Sequence, residues 1–509
     1  MELEFKNKED IPPFTETEVR QILAGLNSGR TVGPDRIENK YLKLFADELA
    51  APITQIFNAI LETEFIPEQW GLSEIILLFK KGDRKDLGNY RPISLTSNLS
   101  KTFAKLIKNR IYDLLDSCQS PEQAGFRKGR STIDQIFIIN QLIEKSNEFD
   151  SPLYILLIDF QKAFDSVHLI YLWNALNDQG IPAKYINILR NIYKIAEGRV
   201  KTDRVGKNFK IKKGVKQGDP LSPNLFNSIL ESVFGKLDWK ERGIEMDGKK
   251  LNNLRFADDV ALIAQNRDEI QKMAEELRLA GEEAGLIINA KKTVLLTNSQ
   301  KETNISLNGV VIESSEEAIY LGQVIAFSDS LERELKRRKA KAWNSYWSLR
   351  DIFKGNFTQE MKRKIFESCV LPVLTYGAQT WAPTDRQLVG LARTQIGMER
   401  SMLGVKRKDR VRNLAVRRKS KIVDCRYRIK KLKFDYAGHV IRGEEGRWER
   451  KALFWIPRDK KRKVGRPKSR WEDEIIRRVG TAWVKGASDR EYWRRVGEAN
   501  ALEWAHDGR

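Results

Sequence analysis

Leu254-Arg255-Phe256-Ala257-Asp258-Asp259-Val260-Ala261-Leu262 sets two adjacent carboxylates between two short apolar runs. Leu254, Phe256, Val260 and Leu262 alternate about a centre, which predicts a hairpin with Asp258-Asp259 at its tip. Carboxylates held among apolar residues are costly unless cations neutralise them. An ordinary surface turn would use the same residue types, so the doublet needs partners. Upstream, Leu153-Tyr154-Ile155-Leu156-Leu157-Ile158 is a continuous apolar run, as expected of a strand buried on both faces, and it ends in Asp159. Mg²⁺ is the natural partner of carboxylate oxygens combined with substrate phosphates. Two such ions roughly 3.5–4 Å apart activate an attacking hydroxyl and steady a leaving oxygen.

Outward from these carboxylates, strand and helix patterns alternate. Glu74-Ile75-Ile76-Leu77-Leu78-Phe79 reads as a strand entering the polar turn Lys80-Lys81-Gly82-Asp83-Arg84-Lys85. Helical spacing is predicted over 38–63, from Leu99 to Leu115, over 169–195 and within Pro220 to Phe234. Ile270, Met273, Leu277, Ala280 and Ala284 mark an amphipathic helix stopped by Gly285. Strands are predicted at Leu286-Ile287-Ile288 and from Thr293 to Leu296. These pieces give an α+β sheet domain from about 150 to 325. From Leu331 the pattern is helical, with Leu335, Ala342, Tyr346, Leu349 and Phe353 on one stripe.

At about 150 residues per domain, 509 residues suggest three or four domains. The net charge of +22 is uneven: residues 331–509 carry 47 Lys+Arg against 22 Asp+Glu, while the first 330 are slightly acidic. That back third also holds nine of the twelve tryptophans: Trp343, Trp347, Trp381, Trp448, Trp455, Trp471, Trp483, Trp493 and Trp504. Cations interleaved with flat rings suit phosphate neutralisation and base stacking, so nucleic acid is the expected partner. Core tryptophans in a helical region are the plainer reading. The longest apolar run falls far short of the roughly 20 residues of a spanning helix, and Met1 to Lys6 shows no leader, so no membrane role is expected. Cys118, Cys369 and Cys425 are scattered, which argues against a disulfide framework or a cysteine-rich zinc site. His439 has no second ligand at metal spacing and reads as structural.

The carboxylates sit in an ordered set of motifs. Ile158-Asp159-Phe160-Gln161-Lys162-Ala163-Phe164-Asp165 is followed by Gly214-Val215-Lys216-Gln217-Gly218-Asp219-Pro220-Leu221-Ser222-Pro223, the doublet, Asn289-Ala290-Lys291-Lys292-Thr293 and Tyr320-Leu321-Gly322. In this order they resemble the palm motifs of reverse transcriptases. Asn89-Tyr90-Arg91-Pro92-Ile93-Ser94-Leu95 and Gln123-Ala124-Gly125-Phe126-Arg127-Lys128-Gly129-Arg130-Ser131-Thr132 are similar to the fingers motifs of non-LTR (LINE-type) retrotransposon enzymes, and Gly33-Pro34-Asp35 to their N-terminal extension. Ala437-Gly438-His439-Val440 and Gly465-Arg466-Pro467-Lys468-Ser469-Arg470-Trp471 resemble the end of such elements, in the RTE-like branch.

The resemblance implies a right-hand polymerase of the α+β class: an N-terminal extension (1–72), fingers (73–150), palm with interleaved fingers elements (151–325), a helical thumb (326–440) and a basic Trp-rich region (441–509). Asp159 and Asp258 would hold two Mg²⁺ ions, with Mn²⁺ a substitute and Asp259 a supporting carboxylate. A primer 3′-hydroxyl would attack the α-phosphate of an incoming dNTP. Phe164 matches the steric gate. A bulky ring there crowds a ribose 2′-hydroxyl and offers it no hydrogen bond, a mismatch of roughly 1–3 kcal/mol favouring deoxynucleotides. Gln217 and Gly218 match the loop beside template and nucleotide. Arg91 and Lys80 match cations that grip the triphosphate, although Phe79 stands where the family usually has proline. Lys292 matches a proton donor to pyrophosphate. Arg127 and Lys128 would touch template backbone. Asp165 and Asp219 read as structural, bonding loop amides.

The implied partners are an RNA template, a DNA primer or target, and dNTPs, acting in the nucleus after cytoplasmic assembly on RNA. The basic run Lys460 to Lys468 would serve nuclear import, grip DNA or act as a solvated linker. No endonuclease signature is found, so a missing region or another protein would supply the nick for target-primed reverse transcription. The competing readings are an RNA-synthesising right-hand polymerase, against which Phe164 weighs, and a catalytically inactive, retrotransposon-derived nucleic-acid-binding protein.

Overall fold

The computed structural model describes residues 5, 7, 9–80, 82–300, 303–457, 462 and 469–506; the Lys460 to Lys468 run, Arg462 apart, lies outside them. The chain opens with α1 (Glu16–Ala24), α2 (Asn39–Leu44) and α3 (Ala46–Thr63). Thr15 and Glu18 form a reciprocal capping box that starts α1. The single helix expected over 38–63 is broken at Phe45, whose φ of −103° and ψ of 33° leave the helical region.

Next come β1 (Leu72–Phe79), β2 (Tyr90–Leu95), α4 (Asn98–Ser117), α5 (Thr132–Phe149), β3 (Tyr154–Ile158), α6 (Ala163–Ser166), α7 (Leu169–Asp178) and α8 (Ala183–Lys194). The helix expected over 169–195 is therefore two, because Gly180 turns left-handed (φ 77°) and Pro182 follows. The sheet domain continues with β4 (Glu197–Val200), β5 (Phe209–Lys210), α9 (Ser222–Gly235), β6 (Ile244–Met246), β7 (Lys249–Leu251), β8 (Asn253–Phe256), β9 (Asp259–Ala264), α10 (Arg267–Glu283) and β10 (Val294–Thr297). Two hairpins close it, β11 (Asn304–Leu307) with β12 (Val310–Glu313) and β13 (Ala318–Tyr320) with β14 (Gln323–Ile325).

Two four-stranded sheets organise this region. One, in the order β2-β1-β4-β5, joins β1 antiparallel to β2 and parallel to β4. The other, β10-β3-β9-β8, is antiparallel throughout, with β3 at its centre. All five β3 residues are buried, and they divide between two cores. Tyr154, Leu156 and Ile158 join Val260 and Leu262 against α7, α9 and α10, a core that reaches the N-terminal helices. Ile155 and Leu157 join Ala261 and Ile263 against Ile139 and Leu142 of α5. Burial on both faces explains the unbroken apolar run, since each large side chain removed from water contributes roughly 1.5–3 kcal/mol. The segment 286–288 forms only one bridge, Phe160 to Ile288, rather than the predicted strand.

The helical remainder comprises α11 (Ser330–Ser348), α12 (Arg350–Lys354), α13 (Gln359–Ile365), α14 (Leu371–Leu374), α15 (Asp385–Met402), α16 (Asn413–Ser420), α17 (Cys425–Arg442), α18 (Trp448–Phe454), α19 (Asp473–Val479), α20 (Trp483–Ser488) and α21 (Arg490–His506). The expected boundary at 440/441 falls inside α17. The end of the chain also folds back: Phe137 of α5 packs with Phe434, Tyr436, Trp471, Trp483 and Trp493 in one core. This corrects the base-stacking reading for five of the nine tryptophans. Trp381, Trp448, Trp471, Trp483 and Trp493 are buried in cores, while Trp347 remains exposed and stacks on Trp343 at 6.0 Å. Among the described residues, no helix is long and apolar enough to cross a membrane.

Candidate active site

The β8–β9 hairpin turns through Ala257 and Asp258, and Asp259 opens β9 opposite Phe256. The tip is thus one residue earlier than the alternation suggested. Ala257 is left-handed (φ 55°), a costly conformation for a residue with a Cβ. Gln123 holds it there. Its Oε1, fully buried, accepts the backbone N–H of Ala257 at 3.1 Å and that of Gly125 at 2.8 Å. Ala124 N–H donates to the Arg255 carbonyl and Arg255 N–H to the Glu122 carbonyl, so residues 122–124 dock as a parallel extension beside β8. A Cβ on Gly125 would lie 2.3 Å from Ala257 N, which is why glycine stands there. Behind the hairpin, buried Arg255 pairs with Glu231 at 3.3 Å and lies over the Phe234 ring.

Asp159 is the residue after Ile158, which pairs with Val260, so it stands at the same sheet end as the 258–259 turn. Its backbone is held by Asn289 N–H, 2.7 Å from the Asp159 carbonyl. Asp258 and Asp259 are exposed at the rim of the turn. Surrounding protein still strips enough water from them to push both carboxyls up. For Asp259 the value reaches about 6, through desolvation first and then the charges of Asp258 and Asp159. Arg91 and Lys80, both exposed on the β1–β2 sheet, act in the opposite direction on Asp258, and Lys80 does so on Asp259. The structure therefore gathers three carboxylates and faces them with two cations.

Those carboxylates fit hard divalent cations: all donors are oxygen, and their mutual repulsion is what a cation relieves. Among the described residues no group of three His, Cys, Asp or Glu side chains forms a ready metal cage. An open set suits Mg²⁺, which keeps waters and takes further ligands from substrate phosphates.

Phe164 is half-buried, its ring stacked on Phe226 at 4.4 Å and edge-on to Phe126 at 6.4 Å. Gln217 donates its side-chain N–H to Asp165 Oδ1 at 3.0 Å, and its carbonyl accepts Ser94 N–H at 2.8 Å. Gly218 (φ 110°) passes so close to Ser94 that a Cβ would meet its carbonyl at 2.9 Å. This loop therefore welds β2 to the start of α9. Asp219 accepts Leu221 N–H at 2.8 Å, and burial raises its carboxyl and that of Asp165. Lys292 is exposed on the turn after Asn289.

Arg127 departs from the template role expected of it. It binds Asp116 at 2.8 Å and the carbonyls of Ser120 and Gln123, so its donors are spent inside the protein. Lys128 is exposed over the Tyr112 ring. Two residues near the site went unassigned in the sequence. Gln123 lies in the polar stretch Ser120-Pro121-Glu122-Gln123-Ala124-Gly125, where nothing local distinguishes it from a solvated side chain. Tyr320 is buried, its hydroxyl finds no hydrogen-bond partner among the described residues, and burial first and the Asp259 charge second push its phenol up.

Residues 79–325 match the family model described as reverse transcriptase (RNA-dependent DNA polymerase). A transposon-derived protein of Caenorhabditis elegans is 32% identical over 271 residues, covering 50% of this chain and 97% of its own length. The chain belongs to the reverse transcriptase family. Its relatives are retrotransposon proteins. The RNA-directed DNA polymerase from transposon BS of Drosophila melanogaster is 29% identical over 394 residues, 73% of this chain and 42% of that protein. The Pol polyprotein from the type-1 retrotransposable element R2 of Nasonia vitripennis is 29% identical over 260 residues, 50% of this chain and 25% of its own. This reverse transcriptase chain thus spans less than half of the BS and R2 relatives.

Proposed function

We propose that the chain is the polymerase portion of a non-LTR retrotransposon enzyme, extending a primer 3′-hydroxyl with dNTPs on an RNA template. The observation that carries this reading is the convergence of Asp159, Asp258 and Asp259 at one sheet end, facing Arg91 and Lys80. Asp159 and Asp258 would hold two Mg²⁺ ions, Mn²⁺ substituting, with Asp259 in support. The bound cations would supply charge neutralisation for the attacking hydroxyl and the leaving pyrophosphate. Arg91 and Lys80 would bind the triphosphate, Arg91 as a rigid donor fork. Phe164, fixed against Phe226, would exclude a 2′-hydroxyl. Gln217 and Gly218 would shape the floor under the nucleotide, and Lys292, on the exposed turn, would donate a proton to pyrophosphate.

The same reading places the reaction in target-primed reverse transcription in the nucleus, after assembly on RNA in the cytoplasm. A separate nuclease activity would then make the nick in target DNA. The test supplies a primed RNA homopolymer, Mg²⁺, and either dTTP or UTP. Extension with dTTP alone is expected. Equal use of UTP would refute the gate, and binding without extension would favour an inactive nucleic-acid-binding protein.

A further inference from the structure

A basic concavity lies away from the carboxylates, where the end of the chain meets the Lys128-Gly129-Arg130 turn. It has a volume of about 550 Å³ and is lined by Lys128, Arg130, Arg442, Arg447, Arg490 and Arg494. Among the described residues, Asp435 and Glu444 are the carboxylates that line it. Among the described residues, Lys128, Arg130, Arg490 and Arg494 form no ion pair. Arg447 is committed elsewhere, donating to the Gly129 carbonyl at 2.6 Å, and Arg442 to the Ala487 carbonyl at 2.6 Å.

The motif around Gly438 builds this cavity. A Cβ at Gly438 would meet Trp493 Cδ1 and Arg442 Nη1, each at 2.5 Å, so glycine lets α21 seat against α17. The next residue, His439, reaches across to Asp134 at 3.6 Å. Asp134 also caps α5 through Ser131 and accepts the Tyr436 hydroxyl at 3.1 Å. The two walls are therefore locked together by packing and hydrogen bonds, which fixes the cations at short range. Arg130 is half-buried beside Arg447, and both burial and that charge press against its ionisation. Crowded like charges are unfavourable unless an anion offsets them. Small-molecule sites of this size are mostly apolar, and a wall of guanidinium forks suits phosphate instead.

We propose that this cavity binds the phosphodiester backbone of a single nucleic-acid strand, gripped between the 128–130 turn and α21. The occupant follows from continuity with the candidate active site. Phe126, whose ring lies 6.4 Å from Phe164, is two residues before Lys128, so one short segment leads from the nucleotide side into the cavity. The direction of that path rests on the polymerase reading; the phosphate chemistry of the cavity does not.

The test compares the full chain with Arg490→Gln/Arg494→Gln, using short single-stranded RNA and DNA of one sequence over a range of KCl concentrations. Single strands lose about 0.7 in the log–log salt slope per phosphate contact, so the double variant should bind more weakly with a slope shallower by about 1.4. Arg490→Lys/Arg494→Lys should retain the slope. Loss on RNA alone assigns the cavity to template, and loss on DNA alone to the primer or target strand; either supports the proposal. Unchanged affinity and slope on both strands would overturn it, as would a wild-type chain that binds neither. A parallel extension assay of the wild-type chain on a primer–template tests the polymerase reading separately. If the wild type fails to extend at all, the polymerase reading falls while the salt slopes still judge the cavity.

Discussion

Gln123 Oε1 accepts hydrogen bonds from Gly125 N–H at 2.8 Å and Ala257 N–H at 3.1 Å, tying the fingers motif to the turn that presents Asp258. Replacing Gln123 with Leu leaves two buried N–H groups unpaired, at a cost of about 1–3 kcal/mol each. Thermal melting should fall accordingly. Primer extension should fall further than melting accounts for, because a turn at φ 55° relaxes once its clamp is gone. Normal extension by a folded Gln123→Leu protein would show that the clamp does not position the carboxylates.

Arg127 and Lys128 are adjacent but should behave oppositely. Arg127→Ala strands Asp116 and several carbonyls, so it should destabilise the fold by about 1.5–3 kcal/mol in denaturant titration and leave the salt slope of RNA binding alone. Lys128→Ala should leave stability nearly unchanged and make the slope shallower. The reverse pattern would restore the template role to Arg127.

Asp259, pushed up to about 6 by desolvation and by Asp258 and Asp159, gives the site a pH signature. Its folded value lies above its ordinary 3.8, so the metal-free fold holds this proton more tightly than the unfolded chain does. That contribution is complete below about 3.8 and is lost as pH rises through about 6. Mg²⁺ competes with the same proton, while Lys80 favours the carboxylate. Melting temperatures with and without Mg²⁺ should therefore diverge as pH rises through about 6. A Mg²⁺ response that is flat across that range would contradict the assignment of Asp259 to a cation site.

Much of the fold was legible because it is written in local periodicity. The buried run into Asp159, the hairpin and α10 follow from alternation and helical spacing. Helix breaks at Phe45 and Gly180 were missed because apolar spacing continued across both. The tryptophans misled because composition reports residue types and not their neighbours: Trp471 and Trp493 lie in a core shared with Phe137, more than 300 residues earlier in the chain. At the candidate site, the carboxylates were legible from their cost in an apolar setting. The work of Gln123, and of Gly218 against Ser94, was not, since both act through backbone groups distant in sequence.

Phe164 should control sugar choice. Phe164→Ala removes the ring that stacks on Phe226 and opens space beside the candidate nucleotide site. The ratio of dTTP to UTP incorporation should drop by about tenfold or more, matching a loss of about 1.4 kcal/mol in discrimination. An unchanged ratio would reduce Phe164 to a packing residue.

In the proposed reaction Asp159 and the 258–259 turn act together on one nucleotidyl transfer. That joint action is tested most directly by single-turnover extension of a primed RNA template with Mg²⁺ and dTTP, comparing the wild-type chain with Asp258→Asn. Extension by the wild type is expected, with loss of at least about three orders of magnitude in the variant, as removal of a transition-state charge partner gives, and with unchanged primer–template affinity. Extension by Asp258→Asn at a rate near wild type would contradict that joint action.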